Sequence, residues 1–311
     1  MPGVYDIVSV GGIVTDLILR LPKLPAAGTC VTATELYHGL GGKGANQAVA
    51  ASRLGGRVAL VGCVGDDDAG RSALSRLASE GVAVEHVARD RTTATGTVVL
   101  QRGADGEKQV VVFPGANARL DAEAIDAASP ILAAARVVLV QLEIPLDAVQ
   151  RVAAIVRASG GRLILDASPI RPLPREIVRA ATAVKANASE AAALTGIPVH
   201  DLASARAAAA ELMTMGVELV AIEAGADGNL FASKDEEVFL PLHDVPAVDL
   251  TGAGDTMAGA LAVAMVEGRS LREAAAFASA AAALATRGLG AQSAMPSRAE
   301  LERWPTGRAA H

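Results

Sequence analysis

Apolar runs of four to nine residues alternate along most of this chain with small-residue stretches that have helical spacing. Residues 6–14 (DIVSVGGIV, ending in Gly-Gly), Val58–Val64, Val137–Gln141, Arg162–Asp166, Thr182–Lys185 and Leu219–Glu223 read as buried strands. Ala45–Leu54, Arg71–Ser79, Leu146–Ala158, a segment near Arg175, Ser189–Thr195, Ala203–Met215, Ala253–Val266, Leu271–Thr286 and Arg298–Arg303 read as helices, two of them stopped by Gly55 and Gly81. Strands alternating with helices predict an α/β fold, a central and mostly parallel sheet between helices. Gly225–Phe231 and Glu237–Leu240 add antiparallel strands after the GADG turn. Two further pairs do not belong to that layer. Leu17–Leu21 and Val31–Tyr37 flank LPKLPAAG, whose prolines forbid a helix, and Thr95–Gln101 and Gln109–Phe113 flank the Gly/Asp turn RGADGE. These predict a small β lid over about 15–40 and 95–114, carried on a single domain spanning 1–311.

Composition narrows the function more than the fold. A formal net charge of −6 and a pI near 5.5, with no basic run or aromatic platform, argue against a nucleic-acid partner. An anionic ligand must then be held by local dipoles and a few placed cations. Aromatics make up only 2% of the chain, so the core is built from Ala, Val, Leu and Ile. The uncharged stretch Ala274–Thr286 is too short and alanine-rich to span a bilayer, and Asp6 interrupts any apolar signal region. No membrane partner and a cytoplasmic location are expected. Cys30 and Cys63 have no metal-ligand spacing and are expected as buried thiols in a reducing compartment. His38, His86, His200 and His243 share no metal-like spacing, and Trp304 is expected to pack.

Chemistry concentrates in a few stretches. In Asp249–Gly259, DLTGAGDTMAG, two acids flank a Thr-Gly-Ala-Gly turn ahead of a small-residue helix. Glycines there let a backbone approach a ligand closely, and the N–H groups of a helix's first turn form an anion site. Asp255 is then either a helix cap or a general base beside a bound phosphate. Gly39–Gly44 satisfies GxGxxG, but a whole βαβ start (residues 6–16) lies upstream and the nearest acids, Asp66–Asp68, sit beyond another glycine turn, which argues against a dinucleotide site. Lys43 is followed by glycine where a P-loop needs Ser or Thr. What remains is a glycine loop with one ammonium and the Asn46 amide, suited to a polyhydroxy compound or an anion. Asn187 and Glu190 in KANASE sit where a strand meets a helix, either as an N-cap with its capping-box partner or in the ligand crevice of an open α/β sheet. Glu143 in QLEIP ends an apolar strand and should project from the sheet edge, and Asp66–Asp68 reads as a solvated turn capping the next helix.

Taken together, GGKGANQAVAASRLG (41–55), NASE (187–190) and DLTGAGDTMAGAL (249–261) resemble the ribokinase-like sugar kinases, the phosphofructokinase-B type. GGIVTD, TGTVVL, FPGAN, QLEIP and GAQ match in the same order, so the resemblance covers nearly the whole chain. It implies an ATP-dependent kinase acting on a sugar hydroxyl, with Mg²⁺ and a monovalent cation such as K⁺, and a homodimer formed through the lid. The resemblance places Val14, Asp16, Gly41, Gly42, Lys43, Asn46 and Glu143 at the sugar. Asp255 becomes the base, and the backbone of Gly252, Ala253 and Gly254 joins it as the anion hole. Asn187, Glu223, Gly225, Gly228, Gly254 and Ser279 fall at the nucleotide, with Glu190 acting on Mg²⁺. Asp249, Thr251, Ala285, Gly288, Gly290 and Ala294 fall at the monovalent cation.

Three positions depart from the ribokinases: Val14 replaces an Asn at the sugar, Ala294 a serine near the cation, and Glu223 a threonine at the nucleotide. The first candidate substrate is ribose, phosphorylated on its terminal hydroxyl. Alternatives are 2-deoxyribose, fructose or a nucleoside. A catalytically dead sugar-binding regulator would be expected to lose the base or a glycine of the anion hole, and this chain keeps Asp255, Gly252 and Gly254.

Overall fold

The computed structural model describes residues 5–304. Its main sheet has nine strands in the order β13-β12-β11-β10-β9-β8-β1-β4-β5. These are β1 (Ile7–Val10), β4 (Val58–Gly65), β5 (Val87–Asp90), β8 (Val137–Val140), β9 (Arg162–Asp166), β10 (Ala183–Ala186), β11 (Leu219–Glu223), β12 (Gly228–Ser233) and β13 (Glu237–Pro241). The first seven pair in parallel, and β12 and β13 add antiparallel strands at one edge. The sheet is therefore the mostly parallel one that the alternating pattern predicts. Strands β1, β4 and β8 are buried at every position because helices cover both faces.

One face carries α1 (Lys43–Arg53), α9 (Ala253–Glu267) and α10 (Leu271–Ala285), which share a core with Ile7, Leu60 and Leu139. The opposite face packs α5 (Leu146–Ser159) and α8 (Leu202–Thr214) on Val8, Val138 and Val220. Alanine richness has a structural reason here. A Cβ at Gly259 would lie 2.8 Å from the Ala50 Cβ and 2.9 Å from the Gln47 carbonyl oxygen, so α1 and α9 touch almost backbone to backbone. One helical turn toward the N-terminus from that contact lie Asn46 on α1 and Asp255 on α9. The close packing of two small-residue helices thus decides which side chains meet at the sheet's carboxyl edge.

The second sheet, ordered β3-β2-β6-β7, is formed by β2 (Val14–Leu21), β3 (Glu35–Gly41), β6 (Gly96–Gly103) and β7 (Lys108–Phe113). Asn117 anchors it to the main sheet: its side chain accepts from the Ile13 N–H and donates to the Ile13 carbonyl, both at 2.8 Å, between β1 and β2. Asp67 anchors the other side. Besides capping α2 (Asp68–Ser79) through the Gly70 N–H, it accepts from the Thr95 N–H at 2.9 Å and from the Thr95 hydroxyl.

Several expectations need correction. The strand expected at Val31–Tyr37 starts at Glu35 and runs on to Gly41, because its partner β2 begins at Val14 and pairs with it residue by residue from Val14–Gly41 to Arg20–Glu35. Gly225–Asp227 form a short 3₁₀ turn rather than the start of a strand. Strand β5 and the helices α3 (Ala122–Ala127) and α4 (Ser129–Ala134) were not expected; elements of four to six residues carry too little periodicity to stand out. Cys63 is buried, but Cys30 is exposed in the connection between β2 and β3, at the end of an exposed run over 26–30. Among the described residues, no helix is long and apolar enough to cross a membrane.

Candidate active site

A cleft of about 600 Å³ opens between the lid and the carboxyl ends of the central strands. Its wall collects Val14, Asp16, Gly42, Lys43, Asn46, Glu143, Asn187, Glu190, Glu223, Asp249, Thr251, Gly252, Gly254 and Asp255, residues from widely separated stretches. A second, more apolar cleft of about 420 Å³ shares Glu223, Leu250 and Gly254 with the first and is lined by Gly225, Met257, Ser279, Ala282 and Ala283 among others. A slightly larger cleft beside Trp304 holds Arg53, Arg287 and Arg303 but neither glycine turn nor the buried acids.

Asp255 sits in the first turn of α9 and is 5% exposed. Its Oδ2 accepts from Asn46 Nδ2 at 2.8 Å and its Oδ1 from Gln47 Nε2 at 3.1 Å, while the Lys43 ammonium stands 3.9 Å from Oδ1. Gly252 caps α9 with φ of 85°, in the left-handed region, and a side chain there would collide with the Ala291 carbonyl. Of the N–H groups expected to form an anion hole, one is already engaged. The Ala253 N–H donates to the Leu250 carbonyl at 3.2 Å, because the chain turns tightly before the helix. The N–H groups of Gly252, Gly254 and Asp255 have no protein acceptor among the described residues.

At the glycine loop, Gly42 (φ 90°) turns β3 into α1, so the Lys43 N–H reaches Glu143 Oε2 at 2.7 Å. Glu143 lies three residues past the end of β8 rather than closing the strand, and burial, opposed by Lys43, pushes its carboxyl up to about 7. Burial, helped by the charge of Asp255, raises Asp16 to about 6. The carboxylate of Asp255 outweighs burial at Lys43 and drives its ammonium further up. Gly41 lines neither cleft; it lies on β3 under the Asp16 carboxylate, in space that a side chain would take. Val14 is 5% exposed at the start of β2.

Asn187 and Glu190 do form a capping box: Asn187 Oδ1 accepts from the Glu190 N–H at 2.9 Å and Glu190 Oε2 from the Asn187 N–H at 2.8 Å. They line the cleft as well, so the capping and crevice readings hold together. Ser279 lies in the apolar cleft, its hydroxyl buried without a hydrogen-bond partner. Gly228 lines neither cleft; its carbonyl accepts from the Ala224 N–H at the start of β12. Asp249 is held by three donors, the Thr251 N–H (3.1 Å) and hydroxyl (2.8 Å) on Oδ1 and the Gly290 N–H (3.0 Å) on Oδ2. These bonds outweigh burial and lower its carboxyl. Gly288 packs on Ser293 and Ala294, and Ala294 lines the cleft beside Trp304. Ala285 is buried and lines neither of the two joined clefts.

Five polar residues behind the site were not anticipated. Gln292 Nε2 donates to Asn46 Oδ1 at 2.9 Å, which orients the amide facing Asp255. Gln47 Nε2 also reaches Asp166 Oδ2 at 2.7 Å, and Gln141 Nε2 donates to Gln47 Oε1 at 2.6 Å. Lys185 Nζ lies 3.3 Å from Asp166 Oδ1. Burial, opposed by the two lysines, raises Asp166 to about 6. Asp166 carried the same signal as Glu143, an acid closing an apolar strand. Gln47, Gln141 and Gln292 stand inside the matching strings GGKGANQ, QLEIP and GAQ, but an uncharged amide there gives no sign of its partner.

Comparison with known proteins places this arrangement. The sequence profile of the pfkB family carbohydrate kinases matches residues 5–298. The chain is 37% identical to a ribokinase of Bacillus subtilis over 300 residues, 96% of this chain and 98% of that protein. It is 32% identical to a deoxyribokinase of Salmonella typhi over 293 residues, 94% and 96% of the two chains. The structure of Arabidopsis thaliana ribokinase complexed with ribose and ATP superposes with a TM-score of 0.90 at 32% identity, over 96% of this chain and 98% of that one. This chain therefore belongs to the pfkB family of carbohydrate kinases, phosphotransferases that act on an alcohol group.

Proposed function

We propose that this kinase uses ATP to phosphorylate the terminal hydroxyl of a pentose-like furanose, with D-ribose to D-ribose 5-phosphate as the first candidate reaction. The observation that carries the reading is the placement of Asp255. It is held by Asn46, Gln47 and Lys43 at the mouth of a helix whose first-turn N–H groups face the cleft, and the apolar cleft opens onto the same turn. The relatives named above, one of them complexed with ribose and ATP, support the same substrate class.

In this reading Asp16, Lys43, Asn46 and Glu143 hold the sugar hydroxyls, and Asp255 accepts the proton of the attacking hydroxyl. That oxygen forms a bond to the γ-phosphorus, the bond to the β,γ-bridging oxygen breaks, and ADP leaves with the electron pair. The N–H groups of Gly252, Gly254 and Asp255 stabilise charge on the phosphoryl oxygens. The apolar cleft takes the adenine, for which the unpartnered Ser279 hydroxyl and the small side chains of Ala282 and Ala283 leave a fitting slot. Asn187, Glu223 and Gly225 line the path between base and phosphates.

Among the described residues no three acids, histidines or cysteines cluster as a metal site. Glu190 with water would hold Mg²⁺, which keeps much of its hydration and neutralises polyphosphate charge when bound. Asp249, whose carboxylate retains acceptor capacity beyond its three donors, would hold K⁺ with carbonyls of the 285–294 loop. The lid leaves Leu36, Val110, Val111, Val112 and Phe113 about half exposed or more, an apolar row suited to pairing with a second copy as a homodimer.

One observation favours a second substrate. Val14 presents a buried apolar surface to the cleft where the ribokinases have an amide, which suits 2-deoxyribose. An ADP-release assay over ribose, 2-deoxyribose, fructose and nucleosides, with ample Mg²⁺ and K⁺, decides the matter. Absence of turnover with every one of them overturns the reading.

A further inference from the structure

Lys185 is a lysine in the middle of a short apolar strand, AVKA, and only 4% exposed, yet it lines the main cleft. Its position is tight. A Cβ added to Gly254 would lie 2.5 Å from Lys185 Nζ, so the ammonium rests against the first turn of α9, where the Gly254 and Asp255 N–H groups open. The same Cβ would lie 4.0 Å from Glu223 Oε1, which places the Glu223 carboxylate nearby. Of the three N–H donors of an ammonium, one meets a protein acceptor among the described residues, Asp166 Oδ1 at 3.3 Å. Two donors remain beside the helix mouth.

A lysine whose only task was to neutralise Asp166 could lie deeper in the sheet, out of the cleft. This one sits between Asp166 and the anion hole. Through Asp166 and the Gln47 amide it shares a hydrogen-bonded chain with Asp255. Desolvation opposes its charge, but the carboxylates of Asp166, Glu190 and Glu223 outweigh it, so the group stays an ammonium.

We infer that Lys185 is a catalytic residue whose ammonium contacts the γ-phosphoryl group during transfer. The inference rests on the kinase reading above. As the γ-phosphorus moves from the β,γ-bridging oxygen to the sugar oxygen, Lys185 hydrogen-bonds an equatorial oxygen, and the hydroxyl proton still passes to Asp255. The carboxylate of Glu223 then serves as part of the counter-charge that keeps the lysine ionised.

The test uses Lys185→Met and the double variant Lys185→Met/Asp166→Asn, which removes the carboxylate left unpaired and guards against a folding defect. Binding of ADP and of β,γ-methylene-ATP to each protein is measured by calorimetry without sugar, and kcat is measured with the best sugar of the panel. The expected result is ADP affinity within about threefold of the wild type, affinity for the triphosphate analogue down about tenfold or more, and kcat down about 10²–10³-fold in both variants. Recovery of kcat in the double variant, or equal weakening of both nucleotides, overturns the inference and leaves Lys185 as the partner of Asp166. Failure of the wild-type protein to turn over any sugar instead defeats the kinase reading, and the two-nucleotide comparison still reads Lys185 by itself.

Discussion

Asn46 Nδ2 donates to Asp255 Oδ2 over 2.8 Å, joining two helices whose contributing residues lie 209 positions apart in the chain. The bond exists because Gly259 and Ala50, one turn further along each helix, let α1 and α9 come together. Gln292 fixes which end of the Asn46 amide faces the carboxylate. With Gln47 on its second oxygen, Asp255 is thereby held in a fixed orientation at the cleft.

Asp255→Asn keeps the size of the side chain and removes its basicity. A fall in kcat of about 10²–10⁴-fold is expected, with sugar affinity nearly unchanged. Steady-state rates set beside calorimetric sugar binding check this. A variant keeping a tenth of wild-type kcat would assign the base to another group.

Gln47→Leu withdraws one amide from two buried carboxylates and leaves Gln141 Nε2 without its acceptor. Each buried polar group left unsatisfied costs roughly 1–3 kcal/mol. The urea midpoint should drop accordingly, with the denaturant slope unchanged. A variant as stable as the wild type would show that the network contributes nothing to folding.

Val14→Asn puts a donor and an acceptor into the wall of the main cleft at the start of β2. If that surface meets the sugar, the ratio of kcat/KM for ribose to that for 2-deoxyribose should rise about tenfold or more, because a polar group in the site left unpaired by the deoxy sugar is penalised. An unchanged ratio places Val14 away from the discriminating hydroxyl.

Glu143 makes stability depend on pH in a defined direction. Its carboxyl, ordinarily near 4.5, is pushed up to about 7 mainly by burial. Between those values the folded protein holds a proton that the unfolded chain has released. The group's contribution is therefore full below about pH 4.5 and declines as pH rises to about 7, by an amount on the order of 3 kcal/mol. Asp16 and Asp166 shift in the same direction and are present in both proteins under comparison. In urea titrations from pH 4 to 8, the stability of wild type minus that of Glu143→Gln should fall across this window. A difference that stays flat would mean that burial does not perturb Glu143.

Much of this is legible in the amino-acid sequence. The strand–helix alternation predicted the parallel sheet because period and turn chemistry are local properties of the backbone. The glycines of GLGGKG and TGAG marked the two tight turns for the same reason, since Gly42 and Gly252 take positive φ that other residues avoid. The capping box at Asn187 and Glu190 followed from a three-residue spacing. Boundaries failed where a partner strand decided them, as for β3, and where elements were only one or two turns long, as for α3 and α4.

The site itself divides along the same line. The sequence alone marked the stretches that meet at the cleft, including an acid in the first turn of a small-residue helix and an ammonium behind a glycine loop. Only the tertiary structure decided the partners: that Gln47 serves Asp166 and Asp255 together, that Gln292 orients Asn46, that the Ala253 N–H is already taken, and that Lys185 lies against Gly254. A side chain's charge state and orientation depend on burial and on donors many positions away, 246 of them between Asn46 and Gln292. No local pattern encodes those contacts; the packing of α1 on α9 at the carboxyl edge of the sheet creates them.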